Sequence, residues 1–147
     1  MLKDFDSWNA EKKLVDKRIV DRTLFFHARE VWWCNAGLNI GVEVDGKNEN
    51  FERPMLIIKK FNADLVWVLP LSTKDKNNSY YYKLHHEIIK SSVVLSQLKS
   101  MSTKRLLRKI GMISESDFRE VIFRLQKILT IENPLAGVFS EAEATNN

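Results

Sequence analysis

Three groups of residues in this chain could do chemistry. Glu43 and Arg53 stand at either end of the polar stretch "EVDGKNENFER", so folding that loop can bring a carboxylate and a guanidinium to one site. "LPLSTK" places Ser72, Thr73 and Lys74 where an apolar run gives way to a polar one. "SQLKSMSTKRLLRKIG" gathers Lys99, Lys104, Arg105, Arg108 and Lys109 behind Gln97. Taken singly, each has a bland reading. Hydroxyls and a lysine at a strand end are usual turn chemistry, and a basic run is usually a solvated face.

Taken together, arginine, hydroxyl and carboxylate in basic surroundings suit one reaction well: cleavage of RNA by its own 2′-hydroxyl. No activated water is then needed. The site must orient the 2′-oxygen, stabilise charge on the phosphorane oxygens and move protons. A fixed guanidinium presents paired donors to a phosphate.

Other templates fail. His85 and His86 are adjacent in a segment that reads as β, so their rings point to opposite faces and cannot easily share a metal. His27 is the only other histidine, and there is no HExxH, CxxC, phosphate-binding glycine loop or G-x-S-x-G elbow. No metal and no cofactor are expected. Cys34 is the only cysteine, which excludes an internal disulfide, and "VWWCN" reads as a buried structural thiol.

The elements that must position these groups follow from patterning. The chain has 147 residues, one domain's worth, with 44% hydrophobic and 29% charged residues. Its formal charge of +4 is uneven: residues 99–127 carry eight Lys/Arg against three Asp/Glu, which fits a phosphate-bearing partner. Phe5, Trp8, Val15, Ile19 and Phe26 form one stripe, predicting a helix over 4–26. From Arg29, "REVWWCNA", "RPMLIIKKF", "DLVWVLPLS", "SYYYKLHH" and "SVVLSQL" read as short strands, five with little helix between them, which predicts a closed or half-closed barrel. In "VWW", Trp32 and Trp33 must face opposite ways. Ser114, three before Asp117, caps an amphipathic helix through Leu129, which Asn133-Pro134 ends.

These residues resemble a known family. The run "REVWWCNAGLNIGVEVDGKNENFERPMLIIKKFN", then "VWVLPLSTK", "SVVLSQLKSMSTKRL" and "RKIG" before a C-terminal helix, is similar to the MazF/PemK toxins of bacterial toxin–antitoxin systems over about residues 29–129. The specific signals are G-x-E before R-P, P-L-S/T at a strand end, Q-L/I-K/R, and K-R-L followed by K-I-G. The resemblance implies a mainly β fold, an SH3-like β-barrel with a C-terminal helix, usually a homodimer. It implies a metal-independent endoribonuclease that cuts single-stranded RNA at short sequences, and a cognate antitoxin that blocks the RNA groove. On it, Arg53 matches the phosphate-acting arginine, Ser72 the hydroxyl that works with it, and Glu43 the G-x-E glutamate that organises Arg53. Thr73, Lys74, Gln97, Lys99, Lys104 and Arg105 become candidate RNA contacts.

Two departures stand out. Ser72-Thr73 replaces the family's frequent Thr-Ser, and Lys99 stands where arginine is common. The expected organisation is an N-terminal helical extension over 1–28, a barrel domain over 29–131 and a tail over 132–147, in the cytoplasm and without a membrane span. The loop after Gly41 is expected to be a mobile flap hinged at Glu43 and Arg53. Two alternatives stay open: a non-catalytic nucleic-acid- or protein-binding module on the same barrel, and a gyrase-inhibiting toxin of the same fold.

Overall fold

The structure, a computed structural model, describes residues 2–74 and 76–130. The tail over 132–147 and the Asn133-Pro134 stop lie outside the described residues. In chain order the elements are α1 (Phe5–Asp16), β1 (Glu30–Asn35), β2 (Glu52–Lys60), β3 (Leu65–Ser72), β4 (Tyr81–Lys83), β5 (Ser92–Val94), β6 (Lys99–Ser102), β7 (Leu106–Met112) and α2 (Glu115–Leu129). The strands form one antiparallel sheet in the order β4-β5-β3-β2-β1-β7, and β6 pairs with β3 beside that path. It is the expected mainly β fold with a helix at each end.

Strand β3 is where the sheet forks. Leu65 to Val68 pair with β6, whereas Leu71 and Ser72 pair with β5. Both faces of the central strands are covered, which is why their sequences read as continuous apolar runs rather than clean alternation. Val31, Leu56, Leu69 and Leu71 pack in one core with Val121 and Leu125 of α2. Their neighbours Trp32, Met55, Ile57 and Val68 face a second core with Phe26 and Met101. The period-2 geometry of a strand makes the division.

Helix α1 stops ten residues short of the expected end at Phe26, with Lys17 as its C-cap. Beyond it, "IVDRT" is rich in β-branched residues, and Asp21 accepts from Thr23 N at 2.9 Å in a local turn that competes with helix. Only Trp8 and Val15 of the predicted stripe bury a helix face; Ile19 is exposed, and Phe26 enters the second core from an irregular segment. The strand expected over 79–86 shrinks to β4, with His85 and His86 in the following loop. There Asp117, buried at the start of α2, accepts from Tyr82 Oη at 2.6 Å and from His85 N at 2.8 Å. The Ser114 cap is as expected, its Oγ accepting from Asp117 N at 3.0 Å. Strands β6 and β7 were not anticipated, because charged residues interrupt their apolar pattern.

Candidate active site

Arg53 sits at the second position of β2, where the polar loop enters the sheet, and its backbone is set by pairing with Cys34. Its guanidinium is half-buried. Nε donates to the carbonyl of Asp45, and Nη1 donates to the carbonyl of Leu71 at 3.0 Å. Among the described residues, Nη2 has no hydrogen-bond partner. Burial pushes the proton affinity of this arginine below its ordinary value, and the Asp45 charge opposes part of that shift. The side chain is therefore held by backbone from two elements, with one corner of its fork available.

The hydroxyls lie close by in register. Met55 pairs with Pro70, and the same antiparallel register continued by two residues sets Arg53 across from Ser72. Ser72 Oγ accepts from Lys74 N at 3.2 Å, so the turn role that the sequence suggested for this segment is present. Thr73 and the edge of Arg53 line a small pocket of about 150 Å³ with Trp33, Asn48 and Pro54. Trp32 faces the core and Trp33 this pocket, as alternation requires.

A larger cleft of about 430 Å³ is lined by Glu43, Gln97 and Lys99 with Asn39 and with Met55 and Pro70, the strand pair two positions along from Arg53 and Ser72. Glu43 here meets Gln97 and Lys99, more than fifty positions away in sequence. Gln97 is not in a strand but ends a short 3₁₀ turn after β5. Its Oε1 accepts from Val44 N at 2.7 Å and its Nε2 donates to the Val42 carbonyl at 3.1 Å, so both ends of the amide grip the loop. Lys99 is half-buried, and its affinity for a proton is lowered by that burial and then by Arg105, with Glu43 acting in the opposite sense. Glu43 does not touch Arg53. Its Oε2 accepts from Ile40 N at 2.8 Å, and the organising contact to Arg53 comes from Asp45 instead.

Lys104 and Arg105 are engaged elsewhere. Lys104 Nζ donates to the carbonyl of Asp16, at the end of α1, at 2.7 Å. Arg105 Nη1 donates to the Asn35 carbonyl at 2.8 Å, and its guanidinium lies 5.8 Å from the Trp8 ring centre. The N-terminal segment thus covers two of the cations read as RNA contacts. Arg108 and Lys109 are paired too, with Glu52 and Glu30, each at 3.0 Å.

The loop between β1 and β2 is tied down rather than hinged open. Asn39 N donates to Asp45 Oδ1 at 2.6 Å, Asn39 Nδ2 to the Val44 carbonyl at 2.7 Å, and Gly46 N to the Gly37 carbonyl at 2.7 Å. Lys47 and Glu52 form a bridge that closes its far end. Gly37 has φ +78°, and a Cβ there would lie 2.3 Å from the Trp8 ring. Lys3 Nζ completes the fastening with a 2.9 Å ion pair to Asp45. Asp45, Asn39, Lys3 and Trp8 were missed by sequence reasoning. Only Trp8 carried a signal, as the bulkiest apolar residue of an otherwise charged segment.

The sequence from residue 27 to 129 matches the family model of the PemK-like, MazF-like toxins of type II toxin–antitoxin systems. Comparison with curated protein sequences finds no match. Among solved structures, MazF from Deinococcus radiodurans is similar at 18% identity and a TM-score of 0.63, over 74% of this chain and 99% of that one. An endoribonuclease from a mycobacterial species, solved in complex with its cognate antitoxin, is similar at 13% identity and a TM-score of 0.57, over 75% of this chain and 100% of that one. The toxin MazF-mt6 from Mycobacterium tuberculosis gives 15% identity and a TM-score of 0.54, over 71% and 100%. At these identities the likeness is one of fold.

Proposed function

The chain belongs to the PemK-like, MazF-like toxins of type II toxin–antitoxin systems, and from that premise we propose that it is an endoribonuclease that cuts single-stranded RNA without a metal ion. The observation that carries this reading is Arg53: a half-buried guanidinium held by two backbone carbonyls, with Nη2 available and hydroxyls beside it. Such a group is oriented before substrate arrives, the condition under which a donor stabilises developing charge most.

In the proposed reaction the 2′-oxygen attacks phosphorus and gives up its proton to water, and the bond from phosphorus to the 5′-oxygen breaks. The 5′-oxygen leaves with a proton, and a 2′,3′-cyclic phosphate remains. Arg53 stabilises the equatorial oxygens of the phosphorane. Arg53 keeps its charge, so its part in proton handling is to hydrogen-bond the leaving oxygen as that oxygen takes a proton from water. Ser72, across the strand pair, orients the attacking hydroxyl. Thr73 lines the Arg53 pocket and is the second hydroxyl in reach of this role. The cleft with Glu43, Gln97 and Lys99 receives flanking nucleotides. Lys99 supplies positive charge there and Glu43 an acceptor for base amino groups; Lys74, exposed beyond the turn, contacts backbone phosphate.

The proposal includes a cytoplasmic site of action, a cognate antitoxin that fills the same cleft, and a homodimer. Phe61, Leu65 and Trp67 remain exposed as apolar surface that a second copy would cover. Among the described residues no helix is long and apolar enough to cross a membrane.

The test is direct. The purified chain is incubated with single-stranded RNA in excess EDTA, and the new ends are mapped. Cleavage with 5′-hydroxyl and cyclic-phosphate ends is expected. A strict requirement for Mg²⁺ would sink the mechanism, and intact RNA under all conditions would favour a binding module. Light scattering at micromolar concentration should give a dimer.

A further inference from the structure

The segment before residue 27 lies outside the family match, and the solved relatives are matched over nearly their whole length by about three quarters of this chain. The N-terminal segment is therefore an addition to the barrel those structures share. Its contacts fall on two places: the β1–β2 loop with its margins, and residues 103–105, where Lys104 Nζ donates to the Asp16 carbonyl at 2.7 Å and Arg18 Nη1 to the Lys104 carbonyl at 3.1 Å. Trp8, 6% exposed, packs its ring on Phe51 with centroids 5.4 Å apart and closes over Gly37. Arg18 Nη1 reaches Asn35 Oδ1 at 2.7 Å. Ahead of α1, Lys3 Nζ donates to the carbonyls of Asn39 at 2.6 Å and Gly41 at 3.1 Å, and pairs with Asp45 Oδ2 at 2.9 Å.

We propose that this segment is a built-in clamp on the β1–β2 loop, with Lys3 as a positioning residue that sets Arg53 through Asp45. The proposal deepens the endoribonuclease reading and rests on it for its effect on catalysis. The chain of contacts is short. Asp45 uses one carboxylate oxygen for Lys3 and the other for Asn39 N, while its main-chain carbonyl receives Arg53 Nε. Fixing the Asp45 carboxylate on two sides fixes the peptide that carries that carbonyl, and so one arm of the Arg53 fork. Lys3 also holds Asn39 and Gly41, which flank Ile40, whose N–H binds Glu43. The Lys3 ammonium thus makes two hydrogen bonds and one ion pair, all to the same loop. A general solvated lysine would not converge so. In a barrel without this segment, the same loop would lose these ties.

The test compares full-length Lys3→Met and Lys3→Arg with the parent. Methionine keeps most of the side-chain stem and removes the charge, and Lys3 lies outside both cores, so the fold should hold, which the melting temperature checks. Two readouts are used: amide hydrogen exchange across residues 39–46, and kcat and KM for cleavage of a single-stranded RNA. In Lys3→Met the loop amides should exchange at least several-fold faster. The kcat should fall about tenfold, the scale of a modest misplacement of a catalytic group, with KM within about twofold. Lys3→Arg should restore most of both. Unchanged exchange and unchanged kcat in Lys3→Met overturn the clamp. A change in KM alone overturns the positioning role and makes Lys3 a direct RNA contact. If the parent cleaves no RNA while Lys3→Met still frees the loop, the endoribonuclease reading fails and the clamp stands.

Discussion

Replacing Arg53 by alanine tests the proposed chemistry most sharply, and the structure fixes two magnitudes for it. The first is catalytic. Removing one preorganised donor from a developing oxyanion costs about 100- to 1000-fold in rate, or about 3–4 kcal/mol. The second is structural. The side chain bridges the carbonyls of Asp45 and Leu71, so the variant loses two charge-assisted hydrogen bonds. Such bonds contribute about 1.5–3 kcal/mol each when well buried. Half-exposure and replacement by water reduce this to about 1–2 kcal/mol in total, equivalent to a fall of roughly 3–8 °C in Tm for a chain of this size. Arg53→Ala should therefore be folded at 25 °C, measurably less stable, and nearly inactive. Arg53→Lys should recover only part of the activity, since it returns a charge but not the planar fork that presents paired donors to a phosphate. Cleavage is read from initial rates on a fluorescent RNA, and stability from thermal melts of the same preparations. If folded Arg53→Ala cleaves within threefold of the parent, the assignment of Arg53 is wrong.

Further outcomes follow from other contacts. Trp8→Ala should cost about 3–4 kcal/mol in chemical denaturation, the usual loss for a large buried ring. Gly37→Ala should destabilise as well, by about 1–3 kcal/mol, because its φ of +78° and the Trp8 ring both oppose a Cβ. Burial pushes the Cys34 thiol well above the ordinary cysteine range, so iodoacetamide at pH 8 should label it only under denaturing conditions; rapid native labelling would contradict the packing. Asp117 should shape acid unfolding. Burial alone would raise its pKa, but bonds from Tyr82 and His85 outweigh that and hold it below the ordinary carboxylate value of 3.8. Its contribution is thus complete above that value and is lost as pH falls below it. Asp117→Asn should flatten the stability–pH curve in that acid range, and an unchanged slope would show that another group governs it.

Much of this protein was legible in one dimension because the relevant physics is local. The strands β1, β2 and β3 follow from runs of β-branched and aromatic residues, and the end of one polar loop fixes Arg53 beside Pro54 at a strand start. The opposite orientation of Trp32 and Trp33 is a property of any extended chain. The start of α2 needed only Ser114 and its spacing to Asp117. In each case neighbours in sequence supply the hydrogen bonds or the period that decides the outcome.

What only the tertiary structure decided are the partners of polar groups. Nothing near Asp45 in sequence says that its carbonyl receives Arg53 while its carboxylate receives Lys3, or that Glu43 turns to Ile40 instead. Gln97, a candidate RNA contact by sequence, also braces residues 42 and 44, more than fifty positions away. Lys104 and Arg105 looked like open cations and lie under an N-terminal helix. The sequence also overran that helix, since a sparse apolar stripe cannot tell a residue buried by a helix face from one, like Phe26, buried where the chain turns into the barrel. Hydrophobic burial is repetitive along an element and leaves a periodic trace. A hydrogen bond is made once, between two atoms at a specific distance and angle, and the chain brings them together only when the whole sheet has closed on its loops.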